Sequence, residues 1–141
     1  VFATHGADAL SGIDTFTAIN SALEVDLFGK ANLEWQGGSL ISGVGGAPDF
    51  VRAAKRSHGG RASPALPSAA RRGLVSRIVP RLTTPCVSLA RADADLVVTE
   101  NGVADLLGLS HEGRAQALID IADLGFRETL RGQWRKLHIN L

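Results

Sequence analysis

The hydrophobic positions change period along the chain, and the change separates a strand-rich front from a helical tail. Residues 15–19 read as a strand. Leu23, Val25 and Leu27 alternate with Glu24 and Asp26, which predicts a strand over 22–28 with one wet face. Gly29-Lys30 is a turn, 31–35 predicts a returning strand, and Gln36-Gly37-Gly38 closes the hairpin. Pro48 and Asp49 suit the first turn of a helix that continues through Arg56. A loop at 57–61 leads to short extended pieces at 62–66 and 76–79, and Leu96, Val97 and Val98 predict a buried strand over 95–100.

A short helix is expected over 102–107. Ser110 is the predicted N-cap of a helix over 111–122, because Ala115, Leu118, Ile119 and Ala122 recur at i, i+3, i+4 and i+7. Phe126, Leu130, Trp134 and Leu137 mark one more amphipathic helix. Strands mixed with helices in this order predict an α/β domain, an open mixed sheet with flanking helices.

Composition narrows the class. A chain of 141 residues fits one domain with a single core, and 45% hydrophobic against 21% charged residues reads as soluble and globular. No apolar run approaches the ~20 residues of a membrane span. Val1-Phe2-Ala3-Thr4-His5-Gly6 has no basic segment followed by an apolar one, so no secretory signal is read there. A start at Val1 rather than Met leads us to expect a fragment or a processed product. Cys86 is the only cysteine, which rules out an internal disulfide and a Cys-based zinc site; a reducing cytoplasm is the expected setting. His5, His58, His111 and His138 are scattered without ligand spacing, so no metal is expected.

The net charge of +1 conceals a segmental pattern. Residues 1–50 hold six acids and one base, 51–92 hold nine bases and no acid, and 93–141 hold eight acids and five bases. The basic block is either a footprint for a polyanion or a solvated face. It contains no Trp, Tyr or Phe to stack on bases, so a nucleotide cofactor is favoured over nucleic acid.

Two motifs bear on chemistry. In Ser42-Gly43-Val44-Gly45-Gly46-Ala47-Pro48-Asp49-Phe50, a glycine-rich loop precedes a helix. Its backbone N–H groups suit a phosphate or a developing oxyanion, and a ligand-free tight turn is the competing reading. The glycine spacing is neither a dinucleotide fingerprint nor a Walker loop. In Val97-Val98-Thr99-Glu100-Asn101-Gly102, a carboxylate follows an apolar strand, at the sheet edge where ligands of α/β folds gather. Glu100 is then a catalytic or positioning carboxylate, or a solvated turn residue. Glu24 and Asp26 could form an acid–base pair, but the wet side of a sheet is the preferred reading. No serine lies in a Gly-x-Ser-x-Gly elbow.

Several blocks resemble the C-terminal domain of the acetyl-CoA hydrolase/CoA-transferase family, which includes 4-hydroxybutyrate, butyrate, succinate and acetate CoA-transferases. They are residues 18–27, 42–52, 65–68, 76–80 and 97–106, with further similarity at Arg114-Ala115 and Phe126-Arg127, in family order across most of 15–130. The resemblance implies a cytoplasmic two-domain enzyme with its active site between the halves. Residues 1–14 would be irregular lead-in from a missing N-terminal half, and 15–141 the C-terminal domain. A glutamate attacks the acyl-CoA and passes through an anhydride to a glutamyl-CoA thioester, which a small carboxylic acid, or water in the hydrolases, resolves.

Residue by residue, the resemblance implies that Gly46 gives a backbone N–H to the oxyanion and that Glu100 is a second, non-nucleophilic glutamate that orients the substrate carboxylate. Leu23, Ser42 and Arg71 would line the path of coenzyme A, with Gly43 and Gly45 shaping the loop. The nucleophile would lie upstream of this chain, leaving the chain inactive alone. Leu107 replaces an Arg common in the family and is expected to remove a cation near Glu100. Acyl-CoA hydrolysis, or a non-catalytic coenzyme A-binding module, are the alternatives. A homo-oligomer is the assembly the family suggests, with neither nucleic acid nor membrane as partner.

Overall fold

The computed structural model describes residues 6–138, so His5 and the ends of the predicted lead-in and domain lie outside the described residues. In chain order the elements are α1 (Ala7–Ser11), β1 (Thr17–Ser21), β2 (Glu24–Asp26), β3 (Ala31–Asn32), β4 (Trp35–Gln36), β5 (Ser39–Leu40), α2 (Ala47–Arg56) and β6 (Arg61–Ala65). They continue with β7 (Ala69–Ala70), β8 (Val75–Ser76), β9 (Ile78–Val79), β10 (Leu96–Thr99), β11 (Gly102–Asp105), α3 (His111–Asp120), a 3-10 turn (Leu124–Phe126) and α4 (Arg127–His138). The α/β class with an open mixed sheet is what the periodicity predicts. Within the expected irregular lead-in, α1 is little more than one turn of helix, too short for periodicity to reveal.

The main sheet has the order β1-β6-β10-β11. β1 and β6 run parallel with Thr17 opposite Arg61 and Ser21 opposite Ala65, and β10 joins β6 in parallel with Val98 opposite Ala65. Parallel neighbours need a crossover, and α2 provides it between β1 and β6. Ser57, at the end of α2, binds back to the start of β1: its Oγ accepts from Phe16 N–H (3.0 Å) and donates to the carbonyl of Ile13 (2.6 Å). The approach is so close that a Cβ on Gly60 would sit 2.1 Å from the Ala54 carbonyl oxygen, so only glycine fits there.

Asp95 fixes the same junction from below. Its buried carboxylate accepts from Ala62 N–H (3.1 Å) in β6 and from Lys55 Nζ (2.6 Å) in α2. One side chain therefore ties strand, helix and the entry to β10 together.

Residues 102–107, expected to be helical, form β11 and the turn after it. β11 is antiparallel to β10, with Val97 opposite Ala104 and Thr99 opposite Gly102. Gly102 has φ +146°, which no helix accommodates, and the β-branched Val103 favours the strand. The wet-face reading of Glu24 and Asp26 is corrected for Asp26, while Glu24 is half-buried and lines an open cleft. Asp26 is 0% exposed, and its carboxylate accepts from the N–H groups of Phe28 (3.1 Å), Lys30 (3.0 Å) and Leu82 (3.2 Å) while pairing with Lys30 Nζ (3.2 Å). Alternation located the strand, but in a three-stranded sheet of order β3-β2-β9 Asp26 is covered as fully as Val25.

The helical tail follows the predicted pattern. Ser110 Oγ caps α3 by accepting from Gly113 N–H (3.2 Å), and Ala115, Leu118 and Ile119 are buried with Leu130 and Trp134 of α4. Phe28 meets Trp134 edge-on at 5.3 Å, and Trp134 Nε1 donates to Glu112 (2.6 Å), so the one buried indole has its polar tip satisfied. The helix-covered side of the main sheet buries Ala18, Ala62, Val97 and Ala104, whereas the other side leaves Ile19 70% and Val103 59% exposed.

Asp95→Ala leaves Ala62 N–H and the Lys55 ammonium without their acceptor. Leaving the buried Ala62 N–H unsatisfied costs about 1–3 kcal/mol, and the Lys55 ammonium, a third exposed, adds little because water reaches it; the loss is read as a lower urea midpoint. Asp95→Asn, which keeps one acceptor oxygen, is expected to lose less. A midpoint unchanged in the alanine variant contradicts this account of the junction.

Candidate functional site

Three parallel strands end on one row, because Ser21 and Val98 both pair with Ala65. The residues just past that row are Leu23 after β1, Ser68 after β6 and Glu100 after β10. They collect at the carboxyl edge of the sheet, where open α/β folds form their crevices. Helix α2 runs back antiparallel to β1, its end held at Phe16, and ten residues of helix rise about 15 Å. Its beginning, and with it the loop 42–46, therefore returns to the same edge.

Ser68 joins Glu100 to this edge. Its N–H donates to Glu100 Oε2 (2.8 Å) and its hydroxyl to Oε1 (2.6 Å). These bonds favour the ionised form and hold the Glu100 carboxyl below the ordinary glutamate value of 4.5, with the hydroxyl as the larger cause. The carbonyl of Ser68 accepts from Arg77 N–H (2.9 Å), and Arg77 Nη1 donates to the carbonyl of Leu23 (3.0 Å). Leu23, Ser68, Arg77 and Glu100 thus form one bonded chain across three loops. Turned so that its oxygen faces Arg77, the Gln36 amide adds acceptor contacts of 2.7 and 3.0 Å to the guanidinium.

Arg71 stands at the tip of the β7–β8 hairpin with φ +50°, beside Arg72 at φ +57°. Arg71, Arg77, Glu24, Trp35, Gln36 and Thr84 are among the residues lining an open cleft of about 490 Å³. Ser42 Oγ donates to the carbonyl of Leu33 (3.2 Å), which anchors the glycine loop to the β3–β4 connection. Gly45 has φ +57° and open space around its Cα; Gly43 is likewise uncrowded. Gly46 is the N-cap residue of α2, and its carbonyl accepts from Phe50 N–H (3.0 Å). No bond among the described residues links the glycine loop to Glu100.

The basic block does not act as one patch. Lys55, Arg52 and Arg61 pair with Asp95, Asp49 and Asp105, and Arg77 is turned inward, while Arg71, Arg72 and Arg81 stay exposed. Leu107 also departs from expectation. The β10–β11 register puts it two residues beyond Asp105, which pairs with Leu96 at the far end of the hairpin from Glu100. Roughly 13 Å of strand separates the two ends, so a cation at 107 would not stand beside Glu100. Sequence reading raised Asp26 only as half of an acid–base pair and preferred a wet sheet face, and it gave Arg77 and Asn101 no role of their own within their blocks. Ser68 was noticed only as part of a block, although the edge rule that selected Glu100 after β10 applies equally after β6.

Among the described residues no helix is long and apolar enough to cross a membrane. The profile of the acetyl-CoA hydrolase/transferase C-terminal domain matches residues 4–134. A 4-hydroxybutyrate coenzyme A transferase of Clostridium kluyveri is 48% identical over 124 residues, covering 87% of this chain and 29% of that protein. An acetyl-CoA hydrolase of Candida albicans is 41% identical over 104 residues, covering 73% of this chain and 19% of the relative. Among solved structures, RipA from Yersinia pestis superposes with a TM-score of 0.86 at 41% identity, over 94% of this chain and 30% of its own. A 4-hydroxybutyrate CoA-transferase from Porphyromonas gingivalis gives 0.76 at 42%, over 92% and 29%. The chain spans less than a third of the length of these relatives.

The lowered Glu100 carboxyl has a stability consequence. Bonds from Ser68 that favour the ionised form stabilise the fold fully above the unfolded value of 4.5 and are lost as pH falls through the lower folded value. Ser68→Ala is therefore expected to cost more stability at neutral pH than in strong acid. Urea midpoints at the two pH values measure the difference, and equal costs would contradict it.

Proposed function

From a chain that belongs to the acetyl-CoA hydrolase/transferase family, as its C-terminal domain, we propose the coenzyme A-cradling part of a cytoplasmic CoA-transferase. It moves coenzyme A from an acyl-CoA to a short-chain carboxylic acid. The glutamate that attacks the thioester belongs to an N-terminal domain outside this chain. Its carboxylate displaces the coenzyme A thiolate to give an acyl–glutamyl anhydride. The thiolate then attacks the glutamyl carbonyl, releasing the acid and leaving a glutamyl-CoA thioester. An incoming carboxylate reverses the sequence. The thiolate leaves the acyl carbonyl and adds to the glutamyl carbonyl of the anhydride, and neither step needs a metal.

In this reading the Gly46 N–H, at the head of α2, donates to the oxyanion that forms at the attacked carbonyl. Gly43 and Gly45 give the loop its course. Leu23 and Ser42 border the coenzyme A chain, Arg71 meets a phosphate at the mouth of the cleft, and Glu100 helps orient the substrate. The observation that carries the reading is the shared carboxyl edge. Leu23 and Glu100 follow strands that end on one row, the head of α2 returns toward that edge, and Arg71 lines a cleft shared with Glu24 and Arg77, which supports the reading. Assembly as a homo-oligomer belongs to the same proposal.

A second reading, acyl-CoA hydrolysis with water as acceptor, draws on the similarity to the Candida albicans hydrolase. A non-catalytic coenzyme A-binding module remains the outcome if no covalent intermediate forms.

Arg71→Glu is expected to weaken coenzyme A binding to this chain about tenfold, the ~1.4 kcal/mol of one charge-assisted contact. Calorimetry reads this directly, and unaltered affinity would remove Arg71 from the site. For the reaction, protein carrying an N-terminal domain is incubated with acetyl-CoA, reduced with borohydride and weighed by peptide. The reduced glutamate is expected outside residues 1–141. Reduction at Glu24, Glu34 or Glu100 contradicts the proposal. Acetate added to the assay then separates transfer from hydrolysis by its product.

A further inference from the structure

The bonds around Glu100 have a fixed direction, and its origin lies two elements away. Ala122, fully buried past the end of α3, points its carbonyl at Asn101 Nδ2 (3.2 Å). A carbonyl can only accept, so this contact decides which end of the Asn101 amide faces inward. With Nδ2 inward, Asn101 also donates to Ser68 Oγ (3.1 Å). Ser68 is 0% exposed, so water does not compete for its hydroxyl. Asn101 offers that hydroxyl a donor and no acceptor, and the hydrogen of Ser68 is left with Glu100 Oε1 at 2.6 Å.

The same loop is secured twice more. Asn101 N–H donates to Thr99 Oγ1 (3.1 Å), whose own hydroxyl donates to the carbonyl of Ile121 (2.7 Å). Arg127 Nε donates to the carbonyl of Ala122 as well (3.0 Å), which fixes the origin of the series.

We propose that Asn101 and Ser68 are positioning residues that hold Glu100 as a permanent hydrogen-bond acceptor, their orientation dictated by the Ala122 carbonyl. Successive donors in one direction polarise each other, so the Ser68 hydroxyl is a stronger donor with Asn101 behind it than alone. Each Glu100 oxygen takes one bond from Ser68 and keeps further acceptor capacity, and Glu100 is exposed. An anion so held receives an amide N–H or a hydroxyl from a ligand. It does not deliver a proton, and it repels a bare carboxylate, so what it orients is the acyl-CoA through its donors and not the substrate carboxylate that the resemblance implies. This last step rests on the reading of the crevice as the coenzyme A site; the relay itself does not.

The test follows the side-chain carboxyl carbon of Glu100 by NMR as pH is varied, in the 141-residue chain. Ser68→Ala is expected to move the titration up toward 4.5. Asn101→Ala, which removes no bond to Glu100, is expected to move it in the same direction by less. Combined with Ser68→Ala it is expected to add nothing, because its influence passes through the hydroxyl. An unmoved titration in Asn101→Ala, or a further rise in the double variant, overturns the relay. Should Asn101→Ala lose its fold, Ser68→Thr replaces it: a hydroxyl in the same place keeps Glu100 low, and a titration matching Ser68→Ala overturns the proposal.

The ligand step is read separately, by adding coenzyme A or acetate at neutral pH. A displaced Glu100 signal with coenzyme A and not with acetate supports an acceptor of N–H or O–H donors. Displacement by acetate alone overturns that role. No displacement by either overturns the reading of the crevice, whatever the titrations show for the relay.

Discussion

The arrangement of this domain depends on how α2 is locked against the sheet. A helix joining two parallel strands can slide along them unless its end is fixed, and here three contacts fix it. Asp95, itself buried, takes the Lys55 ammonium and a strand N–H on one carboxylate. Ser57 bonds the start of β1 in both directions. Gly60 allows a backbone approach that any side chain would block. With the end of the helix held at the amino edge of the strands, its beginning has to emerge at the carboxyl edge. The glycine loop owes its position to bonds made a helix length away.

At that carboxyl edge the loops are joined through their backbones. The Leu23 carbonyl is held by the Arg77 guanidinium, the Ser68 carbonyl by Arg77 N–H, and Glu100 by Ser68. This explains why a block of nine bases does not make a basic surface. Arg77 is spent on carbonyls inside, and Lys55 and Arg61 on carboxylates at the opposite edge. What remains exposed beside the cleft is the pair at the β7–β8 tip, Arg71 and Arg72, both in the left-handed region. A turn that forces two long side chains outward concentrates charge at one mouth, where a run of nine dispersed cations would not.

Local signals in the sequence located most elements because each had a local cause. Ser110 caps its own helix, Pro48 opens α2, and Ala115, Leu118 and Ile119 sit at helical spacing. The failures had non-local causes. Residues 102–105 pair with β10, and no periodicity within four residues can report a partner strand. Asp26 alternates correctly with Val25, yet it is buried because Leu82, 56 positions on, folds over it and donates an N–H. Glu100 was legible from an edge rule applied to one strand. The same rule after β6 reaches the position of Ser68, but the bonds of Ser68 to Glu100 and of Asn101 to Ala122, 32 and 21 positions away, leave no local signal. The distance of Leu107 from Glu100 follows from the same hairpin: once 102–105 is a strand, Leu107 has to lie at its far end.

On the proposed reading, the crevice sets two electrostatic poles at one sheet edge. The head of α2 offers N–H donors and the positive end of a helix dipole, and Glu100 offers an anion whose lone pairs are kept for acceptance. An acyl-CoA has both kinds of group, a thioester carbonyl that accepts and amide N–H groups that donate. A simple carboxylate has only acceptors, so it can satisfy the helix end and is repelled by Glu100. Binding in the crevice therefore distinguishes the two substrates by the direction of their hydrogen bonds as well as by size. A neutral or protonated Glu100 would blur that distinction, which gives a buried serine and an asparagine that touches no ligand a reason to be where they are.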